Sequence, residues 1–223
     1  MLDEIIAPEI KNDMFYALLH ILASSEAVRS ILEIGSSSGE GSTDAFVQAI
    51  RVRLDRDLVS LYCIEISKNR FAKLISMYSS DRFVKPYNLS SIAPDAFPSR
   101  DEVINFYHRI PSRLNQYSLE SILEWHTQDI EYLNQNGMNI NGINFIKNEN
   151  KIQFFDLVLI DGSEFTGERD LHSVLGARLI ALDDVMAFKC WNAYQYLLHN
   201  SSYQLMHCDL KTRNGFAIFE RNF

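Results

Sequence analysis

The sequence is short of cysteine, of basic charge and of long apolar runs, and each shortage argues against a class of protein. Its three cysteines, Cys63, Cys190 and Cys208, are odd in number and scattered, which fits a reducing compartment better than a disulfide framework. No apolar run approaches the roughly 20 residues that a membrane-spanning helix requires. The 21 basic residues are outnumbered by 29 acidic ones, and the net charge of −8 argues against a nucleic-acid partner bound through its phosphates.

The N-terminal region also lacks the pattern of a targeting signal. Residues 1–11 are acidic and do not have the basic and apolar regions of a secretory signal, so we expect a cytoplasmic protein. What the chain does contain, 47% hydrophobic and 22% charged residues over 223 positions, is typical of a globular protein. A chain of this length buries a sizeable core, and we expect a single domain over residues 1–223.

Short apolar runs alternate along the chain with stretches of helical periodicity. This alternation predicts an α/β protein built on a parallel sheet. Strands are expected at 30–34, 58–66, 83–89, 155–160 and 177–182, followed by an antiparallel hairpin of strands 203–210 and 216–221. Helices are expected at 12–24, 42–54, 68–78, 168–175 and 190–200, with Leu54 on the apolar face of the second.

Residues 90–150 interrupt the alternation after the third strand and form an insertion that is too long for an ordinary connection. We expect this insertion to have helices of its own at 101–109 and 118–136, and the first begins with the capping-box pair Ser99 and Glu102. The Asn- and Gly-rich stretch 134–142 predicts a loop. The aromatic residues of the insertion are interpreted as core, with a lid over the functional edge of the sheet as the alternative.

The strongest local signal is the turn between the first strand and its helix, which reads E-I-G-S-S-S-G-E-G-S at positions 33–42. Glycines allow a tight turn and let a ligand approach the backbone closely. The amides at the start of the following helix favour a ligand carboxylate or phosphate. The second strand then ends at Glu65, the position at which an acid binds the hydroxyls of a ribose. A tight turn without a ligand is the alternative.

The spacing of this turn distinguishes between cofactor families. It reads G-x-x-x-G-x-G rather than the G-x-G-x-x-G of dinucleotide-binding proteins, and it lacks the lysine of a P-loop. Together with Glu65, it resembles the turn of class I S-adenosylmethionine (SAM)-dependent methyltransferases. The resemblance implies a Rossmann-like, doubly wound sheet, with Glu65 on the cofactor's ribose and Ser90 or Ser91 beside the adenine. It further implies that the methionyl end is held by Glu33, Gly35, Ser36, Ser37, Gly39, Gly41 and Ser42.

Three acidic residues follow two later strands: Asp161 after the fourth, and Asp183 and Asp184 after the fifth. These strand ends lie at the edge of the sheet that carries the glycine turn. Three carboxylates converging there repel one another unless a positive group lies between them, and hard oxygen ligands suit Mg²⁺, Ca²⁺ or Mn²⁺. Lys189, shortly after the pair, is near the same edge. The alternative is that the aspartates cap the helices that follow them.

This layout is similar to that of the metal-dependent O-methyltransferases of the catechol, caffeoyl-CoA and macrocin types. The resemblance implies that Asp161, Asp183 and Asp184 bind a divalent ion that positions a substrate hydroxyl. The catechol and caffeoyl-CoA types have a lysine as general base three residues after the first aspartate, where this sequence has Glu164. Glu164 is therefore a candidate base, beside Asp161 in the catalytic centre, with a fourth metal ligand or a substrate contact as alternative roles.

Taken together, these features predict a SAM-dependent methyltransferase that acts on an oxygen of a small-molecule or glycan acceptor with the help of a divalent cation such as Mg²⁺. No nucleic-acid or membrane partner is expected, and the oligomeric state, a homo-oligomer included, stays open. One alternative is a metal-independent or N-directed methyltransferase, and another is a non-catalytic module that retains the cofactor-binding fold. The sequence of the edge loops does not indicate which acceptor the protein uses.

Overall fold

Seven strands form one sheet at the centre of the computed structural model, which describes residues 2–222. They are β1 (Ser30–Ile34), β2 (Ser60–Ile64), β3 (Val84–Tyr87), β4 (Leu157–Ile160), β5 (Leu179–Asp183), β6 (Tyr203–Asp209) and β7 (Phe216–Arg221). Their order across the sheet is β3-β2-β1-β4-β5-β7-β6. The first five strands are parallel, and β7 lies antiparallel between β5 and β6. The predicted parallel sheet with a C-terminal antiparallel hairpin is therefore confirmed.

Helices cover both faces of the sheet, because successive residues of a buried strand point to opposite sides. They are α1 (Met14–Ala23), α2 (Ser42–Arg51), α3 (Lys68–Tyr78), α4 (Arg100–Arg109), α5 (Leu119–Gln135), α6 (Gly142–Asn150), α7 (Gly167–Val174) and α8 (Phe188–His199). In β1, Ile31 faces a core formed with α1–α3, whereas Leu32 faces a second core formed with α6–α8. None of the helices within residues 2–222 is long and apolar enough to cross a membrane.

Three elements, β1, α3 and β7, have the bounds that the sequence predicts. By contrast, α2 ends at Arg51, and Leu54 is fully exposed instead of lying on the buried face of the helix. The reason is the buried Arg53, whose Nη1 donates to the carbonyl oxygens of Ala23 and Val28. These bonds turn the chain away from the helix axis before Leu54. The single domain predicted over 1–223 stays a prediction, and residues 1 and 223 lie outside the described residues.

The insertion has both predicted helices and a third that the sequence does not predict. α4 begins with the expected capping box, in which Ser99 and Glu102 each accept a hydrogen bond from the other's backbone amide. α5 agrees with the predicted helix at 118–136 to within one residue at each end. The additional helix, α6, follows the predicted loop and begins at Gly142. A Cβ at Gly142 would collide with the carbonyl oxygen of Ser90, so glycine allows α6 to pack directly against the chain that follows β3.

A third cluster of buried side chains fixes the insertion to the sheet. Val103 and Phe106 of α4 pack with Ile122 of α5, and they meet Phe165 and Phe188 from the segments that follow β4 and β5. The rings of Phe106 and Phe188 contact edge to face, with centroids 4.8 Å apart. The insertion therefore lies against the edge of the sheet at which β4 and β5 end.

Candidate active site

A cavity of about 430 Å³ opens at the carboxyl edge of the sheet, beside the ends of β1 and β4. The strand order reverses between these two strands, and ligands of open α/β sheets bind at such a switch point. The volume lies within the range of about 300–1,000 Å³ that is usual for small-molecule sites. The segments after β1, β2, β4 and β5 line one side of the cavity, and the N-terminal segment and the insertion line the other.

The loop between β1 and α2 keeps its shape through two glycines with positive φ angles. Gly35 has φ +89°, and a Cβ there would collide with the carbonyl oxygen of Asp161. Gly39 has φ +85°, and its Cβ would lie 2.8 Å from the ring of Tyr78. The amide of Gly35 donates to the carbonyl of Ile64 at 3.0 Å, which ties the loop to the end of β2. Of the predicted loop residues, the cavity is lined by Gly35, Ser36, Ser37, Gly41 and Ser42.

The structure does not bring the other two predicted loop residues, Glu33 and Gly39, to the cavity wall. Glu33 is fully buried, and its two carboxylate oxygens accept from the hydroxyls of Ser42 and Thr43, each at 2.7 Å. Burial raises the pKa of Glu33, although the hydroxyl donors oppose the rise. Glu33 therefore ties the first turn of α2 to β1. It affects the cavity indirectly, by holding the end of the loop that lines it.

Glu65 lines the cavity where β2 ends, as the sequence predicts. Its two carboxylate oxygens accept from the backbone amides of Ser37 and Ser67, each at 2.7 Å. Burial raises the pKa of this carboxyl group, against the effect of these two amides. Because each carboxylate oxygen has a second lone pair, Glu65 can still accept hydrogen bonds from two ligand hydroxyls.

Ser90 and Ser91 also line the cavity, beyond the end of β3. The start of α6 holds them in place, because the amides of Gly142 and Ile143 donate to the carbonyls of Ser90 and Ser91 at 3.0 and 3.2 Å. The structure therefore brings the predicted adenine-side residues to the same cavity as Glu65. The helix that fixes them is the one that the sequence does not predict.

Asp129 of α5 is a cavity residue that sequence reasoning missed. Its carboxylate accepts from the hydroxyl of Ser163, and burial raises its pKa. Asp129 lies four residues after Trp125 and four before Leu133, and all three line the cavity. Residues at this spacing share one face of a helix, so a polar residue within the apolar row of α5 is the signal that could have identified Asp129.

Asp161, Asp183 and Asp184 converge as predicted, and one carboxylate oxygen of each lies within 4.8 Å of the others. The positive group between them belongs to the chain. The Nζ of Lys189 is 2.8 Å from Asp161 Oδ1 and 2.6 Å from Asp184 Oδ2. Arg213 Nη2 is 2.6 Å from Asp183 Oδ1. Every aspartate of the cluster is therefore paired with a lysine or an arginine.

The residues as placed do not fit the predicted divalent ion. Such an ion needs several oxygen ligands at about 2.0–2.6 Å, and the ammonium of Lys189 already occupies the space between Asp161 and Asp184. Burial acts to lower the pKa of Lys189, but Asp161, Asp184 and the other carboxylates outweigh it and raise that pKa well above its ordinary value. The lysine is therefore charged at neutral pH.

Glu164 lines the cavity beside this cluster. Its Oε1 accepts from the backbone amide of Lys189 at 3.1 Å, which connects the segment after β4 to the start of α8. Burial raises the pKa of Glu164 to about 7, even though the charge of Lys189 acts to lower it. A carboxylate with this pKa is suited to accept a proton near neutral pH.

The N-terminal segment and the insertion meet across the cavity. The hydroxyl of Tyr132 in α5 donates to Asp3 Oδ1 at 2.7 Å, and residues 6–10 line the wall nearby. The insertion contributes Phe97, Arg113, Leu114, Gln116, Tyr117 and Trp125 to the lining. Of its aromatic residues, Phe106 is core whereas Tyr117 and Trp125 line the cavity, and the lid stays a prediction.

No protein-family model and no curated protein matches the sequence. Among solved structures, the chain is similar to the O-methyltransferase from Bacillus cereus in complex with SAH, with 13% identity, a TM-score of 0.56 and 98% of this chain and 84% of that chain covered. It is also similar to a methyltransferase from Geobacter sulfurreducens, with 11% identity, a TM-score of 0.53 and coverage of 96% and 82%.

An SAH-bound methyltransferase from Podospora anserina is a third similar structure, with 14% identity, a TM-score of 0.51 and coverage of 96% of this chain and 81% of that chain. At these identities the similarity establishes the fold. The chain has the Rossmann-like, doubly wound fold of class I methyltransferases, as the sequence predicts.

Proposed function

We propose that this protein is a SAM-dependent methyltransferase that acts on an oxygen atom of a small-molecule or glycan acceptor. The observation that carries the proposal is the position of Glu65. Its carboxylate lies in the cavity at the end of β2, bonded to the amide of Ser37 in the glycine loop. This is the place at which a carboxylate binds a ribose in such folds. The SAH-bound structures with the same fold support this choice of cofactor.

The residues around the cavity fit SAM. Ser36, Gly41 and Ser42 line the end at which α2 begins, where helix amides favour the methionyl carboxylate. Glu65 takes the ribose, and Ser91 lies on the adenine side. When bound, SAM supplies a methyl group attached to a positively charged sulfur. The proposed reaction includes no divalent ion, because the ammonium of Lys189 lies between Asp161 and Asp184.

On the acceptor side, Glu164 is the residue that accepts a proton. Its carboxylate takes the proton that leaves the acceptor hydroxyl, and its pKa of about 7 matches that task at neutral pH. Trp125 and Tyr117 contact edge to face, with centroids 4.9 Å apart, and form an aromatic wall that orients the acceptor. The net charge of −8 favours a small acceptor over a nucleic acid. The three free cysteines support a cytoplasmic location.

The direct test is transfer of a labelled methyl group. The protein is incubated with SAM that carries a deuterated methyl and with separate pools of phenols, sugars and amines, and the products are identified by mass spectrometry. We expect label on the oxygen of one phenol or sugar. Label on nitrogen would contradict the proposed acceptor, and no label in any pool, with SAM bound, would favour a non-catalytic module.

A further inference from the structure

The position of Lys189 is fixed by its backbone as well as by its side chain. Lys189 is in the first turn of α8, and its backbone amide donates a hydrogen bond to the side chain of Glu164. Its carbonyl lies so close to α7 that a Cβ at Gly167 would collide with it. The side chain is only 12% exposed, and its Nζ lies between Asp161 and Asp184. The fold thus places this ammonium between the two carboxylates.

The charges of the cluster show why an ammonium belongs there. Three carboxylates, those of Asp161, Asp183 and Asp184, meet in a largely buried region. Arg213 pairs with Asp183, and it also pairs with Asp13. Without Lys189, two carboxylates would be buried with no counter-charge, which is strongly unfavourable.

The ammonium also has a donor to spare. A lysine has three N–H donors, and among residues 2–222 its side chain pairs only with Asp161 and Asp184. Lys189 lines the cavity next to Glu164, so the third donor is available to a ligand there. A fixed cation beside a proton acceptor is suited to an oxygen that becomes negatively charged.

We propose that Lys189 is the resident cation of this cluster, taking the place of a divalent ion and donating its third N–H to the acceptor oxygen. The second part rests on the proposed methyltransferase function. The first part does not, and it can be tested without cofactor or acceptor. The acceptor class that follows is one whose oxygen is negatively charged when it reacts, such as a phenol.

The experiment measures Mn²⁺ binding by electron paramagnetic resonance in the wild-type chain, in Lys189→Ala and in Lys85→Ala, an exposed lysine on β3. Removing the ammonium frees Asp161 and Asp184 as ligands, so we expect Lys189→Ala to bind Mn²⁺ about tenfold or more tightly than the wild type. Lys85→Ala should match the wild type. Equal affinities in the wild type and Lys189→Ala, whether tight or undetectable, would overturn the proposal.

A second measurement does not depend on the folding of the variant. The thermal midpoint of the wild-type chain should be the same with excess Mg²⁺ or with a chelator, because a ligand that does not bind does not stabilise. A midpoint that rises with Mg²⁺ would show a divalent ion in the native cluster and would contradict the role of Lys189. Neither measurement uses SAM, so failure here is distinct from failure of the methyltransferase proposal.

Discussion

Glu164 and Lys189 are neighbours in the cavity wall, and only one of them can change its charge near neutral pH. They are joined through the Lys189 amide, yet burial brings the pKa of Glu164 to about 7 whereas the surrounding carboxylates keep Lys189 charged. One group can therefore exchange a proton near neutral pH while the other stays a fixed cation. This combination is suited to the deprotonation of a hydroxyl.

The titration of Glu164 predicts a pH dependence of activity. A base must be deprotonated, so kcat/KM should rise with pH and level off above the pKa of about 7. Glu164→Gln should lower kcat/KM by about 100-fold or more and remove this rise, without weakening SAM binding.

Glu131→Gln, an exposed position on α5, is the control and should keep the wild-type pH profile. Steady-state rates from pH 5 to 9, a range of about two units on each side of 7, measure this. An unchanged profile in Glu164→Gln would exclude it as the base.

At the residue scale, the sequence predicts which charged side chains come together, but it does not predict which of them form ion pairs. The convergence of Asp161, Asp183 and Asp184 follows from the rule that parallel strands end at one edge, and the structure confirms it. Lys189 could be placed near that edge from its position in the chain. Its ion pairs could not be predicted, because they depend on where α8 begins and on the direction of one flexible side chain.

Among the elements, the β1–α2 loop combines a left-handed backbone conformation at its glycines with close packing. Gly35 is in a left-handed conformation and lies against the backbone of Asp161, so it connects this loop to the acidic cluster. Residues other than glycine are disfavoured at such φ values, because their Cβ collides with the backbone. The geometry of this loop therefore depends on glycine at position 35, as it does at position 39.

Gly35→Ala should be strongly destabilising. The backbone strain and the collision with Asp161 together should lower the free energy of unfolding by about 3 kcal/mol or more. Gly137→Ala is the matched control, because Gly137 also has a positive φ, of +67°, but nothing lies within 4 Å of its Cβ position. It should cost only about 1 kcal/mol. Urea denaturation of both variants separates strain from collision, and equal losses would show that the collision is relieved by a small shift.

Element prediction succeeded where local pattern and tertiary environment agree. β1 and α3 have clear periodicity and agreed to the residue. α6 was missed because three of its nine residues are asparagine, which disfavours helix in isolation. Its stability comes instead from burying Ile143 and Ile146 against the sheet, which is long-range information.

At the scale of the whole molecule, the cavity is assembled from segments far apart in the chain. Hydrogen bonds join Asp3 near the N-terminus to Tyr132 in the insertion and to Lys68 at the start of α3. In the sequence, these three residues are next or second to the lining residues Leu2, Leu133 and Ile66. The strand-end side of the cavity was predicted from topology. The contribution of residues 2–10 was not, because this segment has no periodicity and is placed by such individual bonds.

The proposed methyltransferase function depends on the binding of an adenosyl cofactor in the cavity, with Glu65 at its ribose. The switch point of the sheet, the glycine loop and a buried carboxylate at the end of β2 support this binding. If it fails, the fold remains and the methyltransferase function does not.

Isothermal titration calorimetry with SAH measures this binding. The wild-type chain should bind one molecule per chain, and Glu65→Ala should bind about 10- to 100-fold more weakly, because two hydrogen bonds to a charged acceptor are lost. Glu120→Ala, an exposed position on α5, should bind like the wild type, and thermal denaturation should show that each variant is folded. No heat with the wild-type chain, or equal affinity in Glu65→Ala, would contradict the account.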